Sequence, residues 1–182
     1  MSAGEHLADA LAAESRAYRL MLAGAPAGGE LRAARDAYLA SHAETGPRSW
    51  GRLIGGLKMA ILAGDGVEPI ARQALNETET AEGAAAAYAR ALAAVAVGEP
   101  PEVRPLLEGG DAFARTGRAL DALARRDGEA YRSALAAVVS DFAGRDEHLS
   151  GVPIADTALV LERLAASRSL AARPASALVP IY

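Results

Sequence analysis

The chain has 182 residues, 51% of them hydrophobic but only 4% aromatic, a formal net charge of -4 and no cysteine. A domain of this size buries roughly 70% of its unfolded surface, so one domain spanning the whole chain is expected, with a core of alanine, leucine, isoleucine and valine. Lack of cysteine excludes disulfides, thiolate nucleophiles and cysteine-ligated metal, and scattered basic residues on an acidic chain leave no footprint for nucleic acid.

The first helix is expected from about Glu5 to Ala23, with Leu7, Ala10, Leu11, Tyr18, Met21 and Leu22 on one broad face. GAPAGG breaks it, and a second helix from about Glu30 to Ala43 turns Leu31, Ala34, Tyr38 and Leu39 inward. After TGPRS a third helix carries Trp50, Leu53, Ile54, Leu57 and Ile61. Its Gly55-Gly56 pair costs about 1 kcal/mol per glycine relative to alanine, which predicts a close helix crossing there. GDG at 64–66 stops that helix, and Val67 to about Glu77 reads as a short fourth one. The stretch ETETAEGAAAAYARALAAVAVG follows as a buried helix with Tyr88, Leu92 and Val95 along one stripe, ending at Gly98. Prolines at 100, 101 and 105 leave room only for a short piece around Glu102 to Leu107.

From Asp111 a helical hairpin is expected: one helix to about Arg125, a tight turn at Asp127-Gly128, and a second helix to about Phe142. Tyr131 to Val138, YRSALAAV, echoes Tyr88 to Val95, YARALAAV, but the separation does not recur, which argues against a solenoid. After RDEHLSG, Pro153 is placed in the first turn of a strongly apolar helix running to about Leu170. This helix should be engulfed by its neighbours, with residues 127–170 as the central helix pair. The tail 171–182 is expected to be extended, with Leu178, Val179, Ile181 and Tyr182 lying back on the bundle. With no useful strand alternation anywhere, the fold class is all-α, a compact single-domain bundle of about eight or nine helices.

The densest group of ligating side chains is Asp141, Asp146, His148 and Asp156, around the turn that holds Arg145. Metal-ligand spacing that would force convergence is lacking, so the preferred reading has the aspartates at helix ends, with Arg145 and His148 satisfying carbonyls, and no metal or cofactor. A second group is His42, Glu44, Arg48 and Trp50, a possible pocket, against which stands a simpler role for Trp50 as the one large anchor of the core. His6 reads as solvated. Lys58 is the only lysine among 19 basic residues; it invites a Schiff-base role but is expected to snorkel to the surface. No serine has histidine and a carboxylate at a diagnostic spacing, and the glycine pairs lack phosphate-loop context. Arg115, Arg118, Arg125, Arg126 and Arg132 are expected to form a solvated, salt-bridged face on the hairpin.

The block RDGEAYRSALAAVVSDF, followed by HLSGVPIADTALVLERLAASRSL and an LVP tail, resembles a set of actinobacterial all-helical proteins. More loosely it is similar to the all-α immunity proteins of bacterial polymorphic toxin systems. The resemblance covers about the last third of the chain in mostly core-forming residues, and implies the fold but no toxin-binding motif. Arginine-for-lysine bias agrees with a GC-rich bacterial source. The expected function is a non-enzymatic, cytoplasmic interaction module whose partner is another protein, with a possible homodimer and neither nucleic acid nor membrane involved. The alternative is a small helical-bundle enzyme or ligand-binding protein using Asp141, Asp146, His148 and Asp156.

Overall fold

The computed structural model describes residues 1–46 and 48–180. Nine helices run through them: α1 (Ala3–Leu22), α2 (Gly28–Thr45), α3 (Trp50–Ala63), α4 (Val67–Thr78), α5 (Ala84–Ala96), α6 (Arg104–Leu107), α7 (Asp111–Ala124), α8 (Gly128–Ala143) and α9 (Asp156–Ala166). No strand occurs among the described residues, and none of their helices is long and apolar enough to cross a membrane. Helices α1, α2 and α3 form one antiparallel layer and α7 and α8 another. Helix α5 links the layers by packing on α3, α4, α6 and α7, and α9 closes the space between α3, α7 and α8.

Ser2 opens α1 with a capping box: its side chain accepts from the Glu5 N–H while Glu5 reaches back to the Ser2 N–H at 2.6 Å. Helix α5 is alanine on nearly every side, with Ala86, Ala89, Ala91 and Ala93 wholly enclosed, so neighbouring backbones approach closely. The two tyrosines echoed in sequence, Tyr88 and Tyr131, are both buried, in α5 and α8 respectively.

The expected close crossing at Gly55-Gly56 is present between α2 and α3. A Cβ on Gly55 would lie 2.8 Å from the Tyr38 ring, and one on Gly56 would lie 2.8 Å from the end of Leu39. Tyr38 is pinned by its hydroxyl to Glu14, whereas half-buried Leu39 can rotate away. Gly55→Ala should therefore destabilise by about 1–2 kcal/mol net, overpacking outweighing the gain in helix propensity. Gly56→Ala should cost less than half as much, and urea titration of both variants checks the order.

Several boundaries depart from the sequence reading. Helix α9 starts at Asp156, leaving Pro153 exposed ahead of it in a tight turn closed from the Ile154 N–H to the Val152 carbonyl at 2.8 Å, while the Ala155 N–H goes to the Leu178 carbonyl at 2.9 Å. It stops at Ala166, four residues early, in a Schellman turn: the Leu170 N–H reaches the Ala165 carbonyl and the Ser169 N–H that of Ala166, with Ser169 at φ 60° where glycine is usual. In the α7–α8 hairpin the left-handed residue is Arg126, φ 58°, while Asp127 caps α8 by accepting from the Ala130 N–H at 3.0 Å. The core of α9 is as enclosed as expected, Ala158, Val160 and Leu161 being at most 1% exposed. Of the tail, Val179 is buried and Leu178 half-buried; Ile181 and Tyr182 lie outside the described residues.

Candidate functional site

Where α1, α3, α5, α7 and α8 meet the start of α9, the bundle encloses a cavity of ≈ 220 Å³. Lys58 forms part of its wall. Helix α3 is otherwise apolar on its inner faces, so burying α3 carries this side chain inward, and the sequence expectation that it snorkels to solvent is overturned. The side chain is 12% exposed, and its ammonium donates to Asp156 Oδ2 at 2.7 Å and to Thr157 Oγ1 at 3.0 Å and lies 5.6 Å from the centre of the Tyr88 ring. Burial alone would favour the neutral amine, but Asp156 and Tyr88 outweigh it and hold the Lys58 pKa above its ordinary value. The group is a fixed cation at neutral pH, which removes the unprotonated amine that Schiff-base chemistry needs.

Glu14 and Tyr18, one helical turn apart on α1, form a second wall. Tyr38 on α2 donates its hydroxyl to Glu14 Oε2. Burial raises the Glu14 pKa, and the tyrosine hydroxyls offset only part of that effect. Tyr18 is 1% exposed, and its hydroxyl, turned toward the Glu14 carboxyl, has no partner within hydrogen-bond distance among the described residues. Burial, then the negative charges of Asp156 and Glu14, push its pKa well up, so it remains a neutral donor.

The third wall comes from α7, α8 and the segment after α8. Asp141 is held between Arg115 and Arg145, and the Arg145 guanidinium lies 3.8 Å over the Phe142 ring. His148 stacks near the same ring, with centroids 6.2 Å apart, and its Nδ1 is buried without a partner among the described residues. Lys58, Arg115 and Arg145 thus face Asp141 and Asp156, with Glu14 biased toward its neutral form. The balance favours a guest carrying negative charge.

Of the acidic and histidine candidates, Asp141, His148 and Asp156 line this cavity, while Asp146 lines a second, exposed hollow with Glu147 and Pro153, with His148 as the wall the two share. No three His, Asp or Glu side chains gather as a metal site among the described residues. The roles foreseen for these groups also change. Asp141 and Asp156 pair with cations more than they serve helix ends, Arg145 bonds a carboxylate instead of a carbonyl, and His148 Nδ1 satisfies nothing. Arg115 likewise leaves the expected solvated arginine face and enters the cavity wall.

In the second group, His42 is buried but pairs with Glu77 instead of Glu44, which contacts His6 at 3.3 Å; His6 is therefore not simply solvated. Trp50 is only partly buried and lines a surface groove with Arg48; the fully enclosed large aromatics are Tyr18 and Tyr131. His42 does not itself line that groove, but its ring centre lies 6.5 Å from that of Trp50 and its Nδ1 is 2.7 Å from Ser49, which does.

Sequence reading missed Glu14, Tyr18, Tyr88 and the inward turn of Lys58. One usable signal existed: a chain that writes nearly every cation as arginine keeps a lysine in an apolar helix. A compact ammonium on a narrow stem fits where a planar guanidinium does not. No family model matches the chain, and comparison with curated proteins and with solved structures finds no similar one.

The raised Glu14 pKa makes stability depend on pH. The folded state binds this proton more tightly than the unfolded state, so the contribution is fully present below the ordinary value of 4.5 and is lost as pH rises through the folded value. Glu14→Gln keeps an acceptor for Tyr38 and removes the titration. As pH rises above the ordinary value of 4.5, its melting temperature should lose less than that of the wild type. Parallel slopes for the two proteins would contradict the assignment.

Proposed function

We propose that the protein binds a small organic anion in the Lys58 cavity. The observation that carries this reading is the Tyr18 hydroxyl, a wholly buried donor without a protein partner within hydrogen-bond distance, on a cavity that a fixed ammonium also lines. Buried polar groups of this kind are ordinarily satisfied by water or ligand. The volume lies below the roughly 300–1,000 Å³ of sites for drug-sized molecules, which fits a compact metabolite-sized acid. Phe113, Phe142 and Ile154 would cover its hydrocarbon part while Arg115, Arg145 and Lys58 meet its charge.

The test is thermal melting with acetate, succinate, citrate and phosphate as separate probes. A probe at about a hundred times its Kd should raise the melting temperature by about 5–10 °C. Tyr18→Phe should melt no lower than the wild type, since it deletes an unpaired hydroxyl, yet should bind the active probe about tenfold more weakly. If none of the four shifts the wild type, the reading falls.

A second reading is the interaction module suggested by the likeness to immunity proteins. Leu149, 91% exposed between α8 and α9, and the net charge of -4 support docking against an apolar, basic protein surface or a second copy of the chain. Light scattering of wild type and Leu149→Asp tests the homodimer: an unchanged mass for both removes that form of it.

A further inference from the structure

The group that joins α2, α3 and α4 on the other side of Tyr38 has the geometry of a nucleophilic triad. His42 Nε2 lies 2.7 Å from Glu77 Oε2, and His42 Nδ1 lies 2.7 Å from Ser49 Oγ. Glu77 also accepts from Gln73 Nε2 at 2.7 Å. Burial would raise the Glu77 pKa, but the bonds from Gln73 and His42 outweigh it and lower the value, so the carboxylate is ionised. An ionised acceptor at Nε2 places the imidazole proton there and leaves the Nδ1 lone pair facing the Ser49 hydroxyl. That arrangement is a serine with its base already oriented.

Three further observations separate this group from an ordinary helix-end tether. Ser49 occupies the N-cap of α3, yet its side chain makes no capping bond to that helix. The preceding residue, Arg48, sits at φ 108°, a conformation costly for a side-chain-bearing residue and concentrated at functional sites. Ser49 also opens onto a groove walled by Leu7, Leu11, Trp50 and Leu149, which includes Arg52, whose buried Nε has no partner among the described residues. Ser49 Oγ also accepts from Thr45 Oγ1 at 3.0 Å, and the Gly46 carbonyl at 3.1 Å is a second acceptor for its proton, farther away than His42 Nδ1.

We propose that Ser49, with His42 as base and Glu77 as the positioning carboxylate, hydrolyses esters of short apolar acids bound in this groove. Ser49 Oγ attacks the acyl carbon and gives its proton to His42 Nδ1. Arg52 Nε–H serves the developing oxyanion. The ester C–O bond breaks as His42 returns the proton to the departing alcohol oxygen, leaving an acyl-Ser49. Water then attacks the acyl carbon, giving a proton to His42, and the Ser49 oxygen leaves and recovers it, so the products are one acid and one alcohol. This activity is independent of the anion cavity and uses none of its charged side chains.

The experiment is hydrolysis of p-nitrophenyl butyrate, together with labelling by a fluorophosphonate. The wild type should exceed buffer, and the label should be found on Ser49 by peptide mass. Ser49→Ala leaves the buried His42 Nδ1 unpaired and should melt a few degrees lower, still folded at the assay temperature, while losing about 100-fold or more in kcat/KM. Glu77→Gln should retain measurable hydrolysis with the pH profile displaced, a change that a merely structural carboxylate would not cause. Wild-type hydrolysis equal to that of Ser49→Ala, or a label absent from Ser49, overturns the proposal.

Discussion

Asp156→Ala should lower the unfolding free energy by about 3–5 kcal/mol, the usual cost of leaving one member of a buried ion pair without its partner. Lys58 cannot follow the lost charge to water. Its stem is enclosed within the bundle and its remaining contacts, the Thr157 hydroxyl and the Tyr88 ring, are neutral. In the wild type the folded pKa of Lys58 is raised above its ordinary 10.5, so its contribution is complete below that value and is lost only as pH climbs through the folded pKa. Removing Asp156 reverses the sign: burial then dominates, the folded pKa falls below 10.5, and the variant should regain stability as the solution is made alkaline. Lys58→Met combined with Asp156→Leu should recover most of the loss, because replacing both charges by apolar groups avoids their desolvation. Urea denaturation of the single and double variants across pH measures all three expectations. A single-variant cost under about 1 kcal/mol would mean that the pair is wetter than the structure has it.

Glu162→Ala should cost about 2–4 kcal/mol and free the tail before the bundle unfolds. Its carboxylate accepts three hydrogen bonds: from the Tyr131 hydroxyl at 2.8 Å, the Ala172 N–H at 3.0 Å and the Arg173 N–H at 2.7 Å. Hydrogen bonds to a charged acceptor are stronger than neutral ones, and deletion also leaves the Tyr131 hydroxyl unpaired on a wholly buried residue. The tail has few other ties, chiefly buried Val179 and the bond from the Ala155 N–H to the Leu178 carbonyl. Hydrogen exchange should therefore quicken first at residues 172–179 and at Ala155, with α5 and α7 still protected. Uniform loss of protection would show that tail and bundle open together.

Helix positions were legible because they depend on neighbours within a turn. Apolar residues recurring at three and four places, with glycine or proline between runs, mark where i to i+4 bonding starts and stops, and each expected helix is present. Boundaries slipped where the backbone takes a turn that residue type does not announce. A tight turn across Pro153 delays the start of α9, and Ser169 and Arg126 adopt a left-handed conformation that composition assigns more readily to glycine. Trp50 shows the same limit for packing: size marks an aromatic as an anchor, but its place at the first turn of α3 puts it at the rim.

The candidate sites were legible only in part. Asp141, His148 and Asp156 stand out as polar groups beside an apolar helix, and they do border one cavity. Their partners do not stand out, since Lys58 and Asp156 are 98 residues apart, and His42 and Glu77 are 35 apart. From the sequence alone follow an all-helical chain, the faces that turn inward and the scarcity of aromatic anchors, because backbone bonding and burial of apolar stripes are local and periodic. Tertiary structure alone decided that the single lysine points inward to a carboxylate and that a serine meets a buried histidine. A long polar side chain at the edge of a helical stripe has both water and protein within reach, and only the packing of the other helices selects between them.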